Sequence, residues 1–274
     1  MTDGYFSDDS VIRRIGNRSV LMLGGPRALL LQAAHPLVAA GIVGHSRFDA
    51  EPWARLARTM TSLYTIVFGT REEADRVGEV VQRVHATVRG ELREDVGVFA
   101  AGTPYAADDF ELMLWVHGTL VDTGIAMHEA YLGPLSVDDR AAFYREMSIV
   151  ARVFGVPESV LPRTLVEFDE FRHELVARGV LCIGSDARTV EASVLRPPVP
   201  LLLRPAVRTI ALAGIALLPA DVRGLYGLES TRLRNAVFSA GRISLKRLAV
   251  PRALPDVWSG EGHGLPLRLL AALS

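Results

Sequence analysis

Cysteine is nearly absent from this chain of 274 residues: Cys182 is the only one. An internal disulfide and a cysteine-rich zinc site are therefore excluded, and the thiol content suits a reducing compartment. An excess of charge is absent too. The formal net charge is -1, which offers nothing to a polyanion such as nucleic acid. The first residues, Met1-Thr2-Asp3-Gly4, put an acid where a secretory signal has its basic region, so a cytoplasmic location is expected. Long apolar runs are also missing. Arg27 to Gly44 is interrupted by Gln32, His35 and Pro36, and Thr209 to Ala220 is only about half of the roughly 20 residues that span a bilayer. The apolar stretch Pro198 to Pro219, with Arg204 and Arg208 embedded, leaves room for a peripheral membrane contact. No phosphate-binding glycine loop, Gly-x-Ser-x-Gly elbow or His-Glu-x-x-His pair occurs, which removes several common catalytic classes. The pair in Leu23-Gly24-Gly25-Pro26 reads as a helix start.

What the chain does have is apolar side chains, at 49% against 22% charged residues, enough for a sizeable core. They recur at helical spacing, and alternating strand-like runs are nearly absent. The pattern predicts helices at about Asp8–Ile15, Pro26–Ala40, Pro52–Phe68, Arg71–Arg89, Ala107–Tyr131, Val137–Phe154 and Ser159–Ala177. Further helices are expected at about Ala187–Leu195, Pro200–Leu217, Ser230–Leu248 and Leu265–Leu273. Ser136-Val137-Asp138-Asp139 and Pro157-Glu158-Ser159 offer cap oxygens and acidic first turns. Pro134, Pro162 and Pro205 stand where a helix can begin but not continue. No linker is evident, and the expected fold is all-α: a single domain over 1–274, with a core at about 10–180 and C-terminal helices at 200–274 packing on it.

Six of the seven histidines precede residue 180. His35 lies in an apolar helix directly before Pro36, whose missing N–H frees a carbonyl. His35 either satisfies that carbonyl or serves a site. His45, in Gly44-His45-Ser46-Arg47-Phe48, sits at a turn or helix end, where it caps carbonyls or projects into a cavity. Arg55, Arg58 and Thr59 share a helical face by spacing. Two fixed positive charges and a hydroxyl suit an anion, a propionate or a polar oxygen species, and they equally suit a solvated basic face. His85 lies beside a stripe of Val77, Val80, Val81, Val84 and Val88. One histidine facing a cavity is the minimum for a five-coordinate haem iron, though ordinary core histidines look the same. His117, in Leu114-Trp115-Val116-His117, is a further buried candidate, with Thr119, Asp122 and Thr123 nearby. Glu170-x-x-His173 resembles half of a di-iron carboxylate motif, but the chain has no second copy.

Several of these segments form an ordered series: Leu30-Leu31-Gln32-x-x-His35-Pro36-x-Val38-Ala39-x-Gly41, His45-Ser46-x-Phe48, Arg55-Leu56-x-Arg58-Thr59 and Phe68-Gly69, then His85-x-x-Val88-x-Gly90 and Leu114-Trp115-Val116-His117-x-Thr119-Leu120. The series resembles the DUF2236 family, also called the MpaB-like or rubber-oxygenase catalytic domain family, over about residues 10 to 180. The resemblance implies an all-helical, globin-like core and a haem b whose iron is held by His85. It places Arg58, Thr59 and Arg55 on the distal side; no residue here is matched to the catalytic glutamate of the rubber-cleaving members, and the segment near Ala39–Ser46 offers His45 instead. His35 and His117 become cofactor-binding residues around the haem. Arg58 stands where those members carry a lysine, and a guanidinium is a very poor iron ligand. The function so implied is a haem-dependent oxidoreductase, an oxygenase acting on an apolar, alkene- or lipid-like small molecule. The alternatives are a non-catalytic haem or small-ligand binding protein and a cofactor-free helical protein. Self-association is left open.

Overall fold

The structure, a computed structural model, describes residues 3–16, 19–45, 52–196 and 204–228. The expected helices Ser230–Leu248 and Leu265–Leu273, and the start of Pro200–Leu217, lie outside the described residues. The rest form a single, mostly helical domain.

The chain opens with α1 (Val11–Gly16) and a 3-10 turn (Ser19–Gly24), then α2 (Gly25–Ala33) and α3 (Pro36–His45). A hairpin of α4 (Pro52–Phe68) and α5 (Arg71–Thr87) follows. Strands β1 (Arg89–Glu91) and β2 (Pro104–Ala106) pair antiparallel, with Gly90 opposite Tyr105. Then come α6 (Phe110–Tyr131), α7 (Val137–Val153), α8 (Leu165–Ala177), α9 (Ser185–Leu195), α10 (Arg204–Ala216) and α11 (Ala220–Leu225).

Local chemistry sets the boundaries. At α5, Thr70 and Glu73 form a reciprocal capping box, and Ser136 accepts from the Asp139 N–H at the start of α7 as expected. The glycine pair does open a helix, with Gly24 as the cap of α2 and Pro26 in its first turn. Three expectations are corrected. The helix expected over Arg71–Arg89 stops at Thr87, and Arg89 enters a strand. The helix expected from Ser159 begins only at Leu165, because Pro162 interrupts it and Thr164 supplies the cap. The helix expected over Pro26–Ala40 is two helices, α2 and α3, bent by 114°.

That elbow shows where freed carbonyls go. A residue with an N–H at position 36 would continue the ladder to the Gln32 carbonyl; Pro36 cannot. The Gln32 carbonyl accepts instead from the His35 N–H at 3.2 Å and from the Trp115 indole Nε1 at 3.3 Å. The Tyr226 hydroxyl donates to the Leu30 carbonyl at 2.9 Å, and the Cys182 N–H donates to the Ala34 carbonyl at 2.9 Å. Donors from α6, the α8–α9 connection and the segment after α11 thus close the end of α2.

Helix α6 is apolar nearly all round and is accordingly buried between two cores. Leu114 and Val121 face a core with Ile12, Ile15, Tyr64, Phe68, Phe143, Tyr144 and Phe168. Leu112 and Trp115 face the other, with Leu30, Leu31, Val38, Leu175, Val190, Ile215 and Tyr226. No single described helix is long and apolar enough to cross a membrane. The bent α2–α3 pair passes that test only jointly, and most of its side chains are buried within the protein.

Candidate functional site

His35 closes α2 and starts α3: its carbonyl accepts from the Ala39 N–H. Its side chain does not satisfy the Gln32 carbonyl, which accepts from the His35 backbone N–H and from Trp115. The imidazole is 1% exposed, packs at 5.7 Å from the Phe99 ring, and its Nδ1 has no hydrogen-bond partner. Burial pushes its pKa down to about 4, with Asp109 opposing. The capping reading of this side chain is therefore set aside.

His117 projects from the α6 face shared with Leu114 and Val121, into the first core. It is buried, its Nε2 has no partner, and burial lowers its pKa to about 4. Asp122 is not its partner. Five residues turn the helix by about 140°, and the Asp122 carboxylate accepts from Arg27 at 2.8 Å. His35 lies at the α2–α3 elbow against Phe99, and His117 lies within α6. Both are neutral near pH 7. An unpartnered buried nitrogen is uncommon in a folded protein and calls for an explanation.

The inward stripe of α5 runs through Ala74, Gly78, Val81, His85 and Val88, following the helical repeat. This corrects the valine stripe expected from sequence: Val80 and Val84 point outward, 46% and 54% exposed, and His85 takes the inward position. The reason is the close approach of α7. A Cβ at Gly78 would lie 2.5 Å from the Val153 carbonyl oxygen, so the glycine faces that helix and fixes the rotation of α5.

Arg55, Arg58 and Thr59 all lie on α4, the partner of α5 in the hairpin. Arg58 and Thr59 are exposed, and the Arg55 side chain lies outside the described residues. His45 is the exposed last residue of α3, as its sequence context suggested. The β-hairpin brings it near the end of α5: Val88, three residues after His85, packs against Gly41 of α3. The structure therefore gathers His45 and the His85 end of α5 at one seam. Glu170 and His173 are exposed on α8, and among the described residues no three His, Cys, Asp or Glu side chains converge on a metal position.

Two features went unread in the sequence. Arg27 is 2% exposed and donates to Asp122 and Thr123 of α6 and to the Leu217 carbonyl after α10. Only its apolar surroundings Pro26 and Ala28-Leu29 hinted at its burial. Tyr105 of β2 stands edge-on to His45, with ring centroids 6.0 Å apart; no spacing rule connects the two.

A haem asks less of a protein than a multi-ligand metal centre does: one imidazole and apolar surface for the macrocycle. His85 meets the first demand as an imidazole on the inward stripe that also carries Val81 and Val88, while Val80 and Val84 point away from it.

An all-helical domain with histidines along its core helices defines the class. The chain belongs to the family described as "ER-bound oxygenase mpaB/B'/Rubber oxygenase, catalytic domain", whose model matches residues 12–247. This membership supports a general oxygenase or oxidoreductase role. The chain is also similar to two uncharacterized proteins, one from Mycobacterium bovis and one from Mycobacterium tuberculosis. Each is 28% identical over 147 residues, covering 52% of this chain and 55% of the relative. The chain thus spans about half the length of the curated relatives it matches. No solved structure matches it.

Proposed function

We propose that this protein is a haem b-dependent oxygenase acting on an apolar, alkene- or lipid-like small molecule, its haem set in a globin-like helical core. The observation that carries the reading is His85 on the inward stripe of α5, together with Val81 and Val88. Family membership supplies the reaction class. His85 holds the iron through its imidazole. A bound haem supplies an iron centre at which dioxygen is activated.

The other residues act by hydrogen bonding and by polarity. Arg58 keeps its proton at any ordinary pH, so it donates hydrogen bonds and does not ligate iron. Arg55, Arg58 and Thr59, all positions of α4, would supply hydrogen-bond donors to negative charge that develops in the reaction. His45 offers a hydrogen-bonding imidazole at the neighbouring seam. His35 and His117 contribute neutral imidazoles to the apolar surroundings, and neutral rings do not add charge to a site that must accept an apolar substrate.

A second reading is favoured by one observation. Arg58 and Thr59 are exposed, and catalysis of this kind benefits from excluding water. A protein with the same ligand and an open distal face binds haem without turnover. Haem reconstitution followed by an absorption spectrum tests the common premise. A Soret band that is lost in His85→Ala is expected; no band in the parent chain, or an unchanged band in the variant, refutes it. Oxygen consumption with an unsaturated lipid then separates oxygenase from binding protein.

A further inference from the structure

Three glycines on two elements make room for one tyrosine. A Cβ added at Gly90 of β1 would lie 2.5 Å from the Tyr105 hydroxyl oxygen, and one at Gly44 of α3 would lie 3.0 Å from it. A Cβ at Gly41, one turn earlier in α3, would sit 3.8 Å from the ring. Gly90 is also the register partner of Tyr105 across the β-hairpin. The cradle therefore leaves Tyr105 no room to drift: the backbone of β1 is on one side and the backbone of α3 on the other. Burial keeps the phenol protonated, with Asp186 acting in the same direction and Arg93 against it.

What the seated ring touches is the point. It meets His45 edge-on, at 6.0 Å and 84°. His45 is the last residue of α3 and is exposed, so a side chain there would ordinarily sample several rotamers. The same seam receives the His85 end of α5 through Val88 against Gly41.

We propose that Tyr105 is a positioning residue of the candidate site, holding the His45 imidazole in one orientation beside the His85 end of α5. It does so through its ring, seated by Gly41, Gly44 and Gly90. The inference rests on the proposed role of His45, and its test has one arm that needs no haem.

In that arm, the histidine ring protons of the full chain without added cofactor are followed by NMR, with His45 assigned from His45→Gln. The parent chain is expected to show His45 displaced by the Tyr105 ring current. Tyr105→Phe, which keeps the ring, should preserve that displacement, and Tyr105→Leu should abolish it. In the second arm, azide is titrated into the haem-loaded protein. His45→Gln and Tyr105→Leu should each weaken azide binding by a similar factor, about two- to tenfold for an edge-on ring contact. The double variant should be no weaker than either single one, and Tyr105→Phe should bind like the parent. An undisplaced His45 in the parent, or one unchanged in Tyr105→Leu, overturns the proposal, as do two factors that multiply. A chain that takes up no haem overturns the haem reading, while the first arm still decides the contact.

Discussion

Burying two imidazoles with unpartnered nitrogens has a cost that acid should expose. His35 and His117 both have pKa values lowered from 6.5 to about 4, in each case chiefly by burial. A histidine whose pKa falls on folding binds fewer protons folded than unfolded, so its stabilising contribution is complete above pH 6.5. It is lost as pH falls from 6.5 to 4. At pH 5 each residue should have lost about 2 kcal/mol, and below pH 4 about 3 kcal/mol, at 1.36 kcal/mol per pH unit. Against a total stability of about 5–15 kcal/mol, the pair should dominate the response between pH 7 and 5. Few carboxylates titrate so high, although burial raises the pKa of Asp186. Urea unfolding at pH 7, 6 and 5, followed by circular dichroism, measures the loss. The parent chain should lose about 4 kcal/mol over that range, the sum of the two residues' losses. His117→Leu, which fills the same apolar site with a group that cannot protonate, should lose about half as much. A variant with the parent's pH slope would refute the reasoning.

Three other substitutions probe the packing. Gly118→Ala places a Cβ 1.7 Å from the Phe168 ring, which is itself packed on Tyr144 and Phe171; overpacking of this kind should cost about 1–3 kcal/mol or more, and Phe168→Leu in the same chain should recover part of it in thermal unfolding. Trp115→Phe removes one of two donors to the Gln32 carbonyl, which keeps the His35 N–H, and should cost about 0.5–1.5 kcal/mol for the lost hydrogen bond; denaturant unfolding reads it. Arg27→Met leaves the Leu217 carbonyl and Thr123 without their donor and Asp122 without its cation. A cost of about 1–3 kcal/mol is expected for the stranded acceptors, since the Asp122 carboxylate left behind is partly exposed. Asp122→Asn should cost at least as much in the same assay, because it leaves the buried Arg27 cation without its counter-charge.

The helices were legible in the sequence because period 3.6 is a local property. What was not legible was rotation. On α5 the residues Val77, Val80, Val81, Val84 and Val88 span two faces, and composition alone favours turning all of them inward. The actual rotation is decided by Gly78, which lets the backbone of Val153 approach. That choice exchanges Val80 and Val84 for His85 on the inward stripe, so one glycine contact sets both the packing and the position of the candidate ligand. Pro36 likewise announced a break, but the 114° bend and the three donors that close it come from residues 83 to 196 positions away or on other helices. Arg27 and Asp122, 95 residues apart, gave no local sign of each other.

The candidate site follows the same division. Each histidine could be picked out singly, and the ordered series identified the family; which histidines share a location depends on the third dimension. His35 and His117 look alike in sequence context, apolar and helical, yet one sits at the elbow between α2 and α3 and the other within α6. His45 and His85 look unlike, one at a helix end and one within a helix, yet the β-hairpin carries the second toward the first. The hairpin is short, and its strands are spelled Arg-Gly-Glu and Pro-Tyr-Ala, a pattern without alternation that no periodicity reading would select. It forms because Val88 and Tyr105 find apolar backbone on α3 where Gly41 and Gly44 carry no side chains. The glycines of α3 thus weaken the helix by their own propensity and in return admit the element that assembles the seam. A substitution at Gly44 should therefore disturb His45 more than it disturbs the helix.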